Sequence, residues 1–462
     1  MNIYIHVEIS ARELDSKLLL ATLAAARGHE VIVSEMEVIE KGLVRGWLPP
    51  GIFHTKSITP AKIKIDRHEA LINSGSKVTS IDEEGGVDSP GYEVFLKKRY
   101  SERSVNQSSA VFTWGEEDFE ILKKNFKKYS NKFHKTGSPR IDICKPSMAE
   151  YWNIPKTIPK KPFLLVASNM AICDSRPFGE MVKSQRVAGY YDRDQELLKK
   201  QFKRKSNDYL KAIVFIEAIK YLSKNNNGYD IVFRPHPTEK VEFWKVLMEG
   251  IPNLHITNEG SINAWIQNAF AVMHHGCTTA IETSVSKKSV VSYIPPELKD
   301  HILHNNLPNE LGYSVNSKED LLKKINSLND KNKERDLNKN YHHLSTQISK
   351  KIYIDDKELA AEKIVKIWES ISDDQISNSI NLIKLKFFIL KMKTNGFIGD
   401  LLKKISFKRF GNFGSHGNHY KFPPLDINEI SKKITKIKRI LKIDKKIECK
   451  LMSDRTIIIK CI

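Results

Sequence analysis

The sequence predicts an α/β protein: two Rossmann-like, doubly wound domains with an interdomain cleft, followed by a basic C-terminal extension. Three observations predict it. Apolar runs of strand length alternate with helical stretches in two successive series, and such alternation gives a parallel sheet covered on both faces. A Pro- and Lys-rich segment, WNIPKTIPKKP (152–162), separates the two series. From Ile376 onward the chain carries 17 Lys and 3 Arg against 6 acids, a charge of +14, whereas residues 1–375 carry only +6. The domains read as 1–155, 160–375 and an extension over 376–462, in keeping with about 100–200 residues per domain for a 462-residue chain.

The elements follow in order. NIYIHVEI is the first strand; Ser10 and Glu13 form an S-x-x-E capping box ahead of LDSKLLLATLAAARG, which Gly28 stops. HEVIVSE (29–35), SKVTSIDEEGG (76–86), AVFTWG (110–115) and KFHKTG (132–137) supply further strands, with the helix EEDFEILKKNFKKY before the last. The second series has FLLVASN (163–169), a helix over about 206–224, IVFRPHP (231–237), a helix from Glu239 and LHIT (254–257). SINAWIQNA, AVMHHG (271–276), a helix from Thr278 and SVVSYIP (289–295) complete it.

Composition argues against several classes. Hydrophobic residues are 40% and mean hydropathy is −0.41, which opposes both a disordered chain and a polytopic membrane protein. The opening MNIYIHVEISARELDS has no charged n-region with a long apolar run, so no signal peptide is read. Five scattered cysteines without a CxxC point to a reduced, cytoplasmic protein with no structural zinc.

Ligands of open α/β sheets lie beyond the carboxyl ends of the strands, so the residues there carry the chemistry. Arg234-Pro235-His236-Pro237-Thr238-Glu239-Lys240 leaves an apolar strand; its prolines fix the direction of His236, and Arg234, His236 and Lys240 suit a phosphate or carboxylate. His274-His275-Gly276-Cys277-Thr278-Thr279, with Glu282 beyond, is a strand–Gly–helix junction whose hydroxyls and N–H groups suit a phosphate. Adjacent strand histidines face opposite ways and no third ligand is evident, so no metal is expected, and Cys277 reads as a packing residue. Asp82-Glu83-Glu84-Gly85-Gly86 ends a strand of the first series, and Glu8 ends the first strand; either offers a carboxylate for proton transfer, or is a plain acidic turn. Gly137-Ser138-Pro139-Arg140 occupies an equivalent strand end.

The order IHVEISARELDSKLLLA, IDEEGG, KTGSPRID, FRPHP and HHGCTTAIE resembles bacterial surface-carbohydrate (capsule and lipopolysaccharide) glycosyltransferases of GT-B fold, over residues 1–370. The His-Pro dipeptide and the acidic-acidic-Gly motif are similar to those of sialyltransferases and Kdo transferases, which use CMP-activated 2-keto sugar acids. The resemblance implies donor-nucleotide binding by His236, Pro237, Thr278 and Thr279; from the residue types at these two strand exits, Arg234, Lys240, His275, Gly276 and Glu282 are expected around them. The resemblance implies a catalytic carboxylate at Glu83 or Glu84, with Asp82 an alternative; Glu8, from its place at the end of the first strand, is held in reserve. The expected reaction is transfer of an ulosonic acid (Kdo, pseudaminic or sialic acid type) from a CMP donor to a surface glycan, without cofactor or metal. The alternatives are a nucleoside-diphosphate-sugar or CDP-glycerol dependent transferase, a GT-B sugar-nucleotide epimerase, and a non-catalytic scaffold of the assembly complex.

The extension contains LIKLKFFILKMK (382–393) and the amphipathic ISKKITKIKRILKIDKK (430–446). Basic amphipathic helices bind anionic membranes, at about 1 kcal/mol per Lys or Arg. The expectation is a dispensable anchor that holds the protein on the inner face of the cytoplasmic membrane. A lysine-rich accessory domain is the alternative; no nucleic-acid motif is present.

Overall fold

The computed structural model describes residues 1–86, 92–170, 179–180, 182–183, 195–237, 239–299, 306–330, 348–372, 379–392, 394 and 421–462. The expected helix start at Thr238 and the basic run 401–410 lie outside them. The chain has two Rossmann-like α/β units, as the alternation predicts. Their boundaries differ from the expected ones. One unit is built from Met1–Gly86, the stretch up to Ile143 and Ser349–Ile462; the other spans Cys144–Ile348.

In the first unit the strands β1 (Asn2–His6), β2 (Glu30–Ser34), β3 (Ile52–Thr55), β4 (Lys77–Ile81), β5 (Ser108–Thr113) and β6 (Phe133–Lys135) run parallel in the order β2-β1-β3-β4-β5-β6. Every β1 side chain is buried, as expected of a central strand covered on both faces. The helix α1 (Ser10–Ala26) follows, but not through a capping box: Ile9 precedes it without a side-chain cap, and Glu13 accepts instead from the Glu8 N–H at 3.0 Å.

The expected extension over 376–462 is not a separate module. Its last residues form β13 (Ile447–Ser453) and β14 (Thr456–Cys461), and β14 pairs antiparallel with β2 through Ile457, Ile458 and Ile459, all buried. Ser34 and Thr456 share a hydroxyl hydrogen bond at 2.7 Å across that seam. The amphipathic helix Ile427–Ile440 is capped by Asp426 and buries Ile430, Ile434 and Ile437. Lys433 pairs with Asp15 of α1 at 2.9 Å. The apolar stripe taken for a membrane face therefore packs against the protein. The same i, i+4, i+7 spacing serves both purposes, and only the partner differs. The helix Ala360–Ile371, expected in the second domain, also belongs here, with Trp368 donating to Thr79 at 3.0 Å.

The second unit carries β7 (Phe163–Ala167), β8 (Asp230–Arg234), β9 (Leu254–Ile256), β10 (Ala271–His274), β11 (Ser289–Tyr293) and β12 (Tyr313–Val315), parallel in the order β12-β11-β10-β7-β8-β9. The helix Gln195–Asn225 covers one face through Ala212, Phe215, Ala218, Ile219 and Leu222. The expected linker 152–162 belongs to this unit: the backbone N–H groups of Lys156 and Thr157 donate to the Glu259 carboxylate at 2.7 and 3.1 Å. Among the described residues, no helix is long and apolar enough to cross a membrane.

Candidate functional site

Strand order fixes where each unit can bind a ligand. In the second sheet the chain moves outward from β7 to β8 and β9, then returns to the other side of β7 as β10. The switch point lies between β7 and β10, the position at which doubly wound sheets generally receive their ligands. Asn169 and Gly276 stand at those two strand ends. Asn169 Nδ2 donates to the Gly276 carbonyl at 3.0 Å, and Lys211 Nζ donates to Asn169 Oδ1 at 2.8 Å. Gly276 sits at φ 63°, a conformation side chains resist, and its N–H donates to Asn309 at 2.6 Å. Lys211 comes from the long helix and is almost wholly buried, and burial lowers its ammonium to about 8. Asp208, Cys277 and Glu239 oppose that shift without overcoming it. The ammonium thus lies buried beside the β7–β10 switch point, held by Asn169. Nothing in its local sequence marks it, since lysines crowd that helix.

Glu239 locks the neighbouring turns. Its carboxylate accepts from Ser168 Oγ (2.6 Å), the Met170 N–H (2.8 Å) and Trp244 Nε1 (2.9 Å), and its own N–H donates to the His236 carbonyl at 2.7 Å. His236 and Pro237 are exposed at the exit of β8, and Lys240 is exposed just before the helix Val241–Leu247. Arg234 does not join them. Its guanidinium donates to the carbonyls of Glu259 (2.6 Å) and Gly260 (2.9 Å) and lies over the Trp265 ring, so it clamps a loop.

At the β10 junction His274 is held from both sides: Nδ1 accepts from the Cys277 N–H at 3.4 Å, and Nε2 meets Ser292 Oγ at 3.0 Å. Burial lowers its imidazole to about 3, so it stays neutral and shapes the turn. Cys277 is buried with a raised thiol, the packing residue expected. Thr278 is exposed, Thr279 and Glu282 are half-buried, and His275 is buried.

The first sheet switches between β1 and β3. Glu8, just past β1, pairs there with Lys56, just past β3, at 2.7 Å, and Lys421 approaches at 3.7 Å. Burial opposes ionisation of Glu8, but Lys56 outweighs it and the carboxyl lies below its ordinary range. Glu83 is fully buried against Lys17 at 2.7 Å; Arg140 lies 3.9 Å from its other oxygen. Burial again opposes ionisation and is outweighed by Lys17 and Arg140, so this carboxylate is a weak base sealed from solvent. Glu84 is exposed and paired with Arg12 at 2.7 Å, and Asp82 is gripped by Arg99. Glu13, which sequence reading treats only as a cap, is pushed up by burial and by Glu83. Buried polar atoms concentrate here with no hydrogen-bond partner among the described residues: His6 Nδ1, Arg12 Nε, Glu13 Oε1 and Glu83 Oε2. The glycine of the acidic motif has a packing reason. A Cβ on Gly85 would lie 2.2 Å from the indole of Trp114, whose Nε1 donates to the Asp82 carbonyl.

No protein-family model and no curated protein matches the chain. Solved structures do. A protein assigned as a UDP-N-acetylglucosamine 2-epimerase from Listeria monocytogenes is 12% identical with TM-score 0.48, covering 82% of this chain and 99% of that one. The wall teichoic acid polymerase TagF, in a variant soaked with CDPG, is 12% identical with TM-score 0.47 over 80% of this chain and 88% of its own. The S. aureus MnaA–UDP structure is 13% identical with TM-score 0.44, covering 82% and 99%. The functional reading rests on the geometry of the two switch points.

Proposed function

We propose that the chain is a nucleotide-sugar-dependent enzyme of GT-B type that builds a bacterial surface glycan at the inner face of the cytoplasmic membrane. The observation that carries this is the Lys211–Asn169–Gly276 chain of hydrogen bonds at the second unit's switch point, which sets a buried cation where a doubly wound sheet receives a phosphate. His236, Thr278 and Thr279 flank the donor in this reading. The CMP-ulosonic acid version sets Arg234, His236, Lys240 and the Thr278 helix start around the leaving phosphate, with Glu83 or Glu84 as the carboxylate and Glu8 in reserve. Arg234 is engaged in clamping a loop and Glu83 is buried against Lys17, which favours a nucleoside-diphosphate-sugar or CDP-glycerol dependent transferase over that version.

Calorimetry with UDP, CDP and CMP tests it. Lys211→Met is expected to weaken the preferred nucleotide by about 10- to 100-fold, the worth of one charge-assisted hydrogen bond to phosphate. Affinity should fall as pH rises through about 8, because free Lys211 loses its proton there and a bound phosphate retains it. A preference for CMP would restore the ulosonic reading, and no binding of any of the three would end the nucleotide assignment.

Glu8 becomes the first choice for the reacting carboxylate, since it stands at the other switch point and is partly open to solvent. Glu8→Gln should lower turnover by about 10²-fold or more with nucleotide affinity unchanged. Unaltered turnover would remove Glu8 from that role.

A further inference from the structure

We propose that the helix over 382–392, together with the Trp47 turn, is the surface that docks this protein on an anionic lipid bilayer. The helix has two apolar faces. Leu385, Phe388 and Ile389 are buried in the first unit's core beside Leu43 and Leu48. On the opposite face Ile383, Phe387 and Leu390, spaced i, i+4, i+7, are 83, 59 and 60% exposed. Packing against the core requires one stripe only; a second stripe of large apolar side chains facing solvent marks an interaction site.

The surroundings of that stripe select the occupant. Lys384 and Lys391 flank it on one side and Lys386 on the other, and the segment 382–392 contains no acid. Trp47 extends the ridge: its ring lies 6.0 Å from Phe387 and stacks on Phe388 at 5.5 Å, with the Lys384 and Lys391 ammoniums each 5.9 Å from its centroid. Lys384 also donates to the Gly46 carbonyl at 2.8 Å, which joins the helix to that turn, and Val44 and Arg45 are exposed beside it. An apolar ridge between rows of lysine, with a tryptophan at its margin, fits the headgroup–acyl boundary of an anionic membrane. A second copy of this chain would oppose lysine to lysine across the same ridge.

Sedimentation of the full-length protein with phosphatidylglycerol-containing vesicles and with pure phosphatidylcholine vesicles, nucleotide absent, tests the surface separately from the donor site. The expected result is binding to the anionic vesicles only, weakened by added salt as the screening length falls below about 8 Å. The triple variant Ile383→Ser/Phe387→Ser/Leu390→Ser should bind at least about tenfold more weakly, with its thermal melt unchanged because all three side chains are exposed. Trp47 fluorescence should shift to the blue on vesicles, and Trp47→Phe should remove the shift. Equal binding to neutral lipid, no binding by the full chain, or an unaltered triple variant overturns the proposal. Self-association that the triple variant abolishes would assign the face to a second copy and overturn it as well.

Discussion

Truncation at residue 375 is expected to yield a protein whose first unit does not fold. The deletion strips β13 and β14 from the sheet and exposes the edge of β2. It also removes buried Ile380, Leu385, Phe388, Ile389, Ile430, Ile434, Ile437, Ile457, Ile458 and Ile459. At about 1.5–3 kcal/mol for each fully buried side chain, the loss exceeds the 5–15 kcal/mol that holds a typical domain. The product should be insoluble, or should show a unit-one transition already lost at 25 °C while the second unit still melts cooperatively. A soluble 1–375 fragment with both transitions intact would show that the returning chain is only appended to the sheet.

Lys17→Met should lower stability by about 3–5 kcal/mol, because it leaves the Glu83 carboxylate buried beside Glu13 without its main counter-ion. The double variant Lys17→Met/Glu83→Leu should recover most of that loss, since a buried ion pair and a well-packed apolar pair differ little in net worth. Glu83 is held below its ordinary range, so its contribution is present above about pH 4.5 and is lost as pH falls through the lower, folded value. Urea unfolding at pH 7 and at pH 4 reads both effects. A change under about 1 kcal/mol at pH 7 would mean that water reaches Glu83 and that the pair is not sealed.

Much of the fold was legible because burial writes itself into local runs. NIYIH, EVIVS, FLLVA and AVMH are strands wherever they occur in such an alternation, and each was placed within a few residues. The four residues of β3 leave no such mark, since IFHT between Pro-Pro-Gly and the turn KSITP is too short to show a period. The strand TIIIKC of β14 was as apolar as any, yet the lysines around it drew the whole segment into a single basic tail. The site divided in the same way. Strand exits at Glu8, His236 and Gly276 follow from the local pattern. The roles of Arg234 and Lys211 do not, because they are set by carbonyls 25 residues downstream and by an asparagine 42 residues upstream.

The return of residues 349–462 to the first sheet makes the second unit an insertion within the first. During synthesis the order of completion is therefore reversed. Cys144–Ile348 is contiguous and can close as soon as it leaves the ribosome, whereas the first sheet must wait for the strand that covers β2. At about 5–20 residues per second, the 422 residues from Ser34 to Thr456 leave the β2 edge uncovered for roughly 20–80 s. Strands made before the second unit are thus completed only after it.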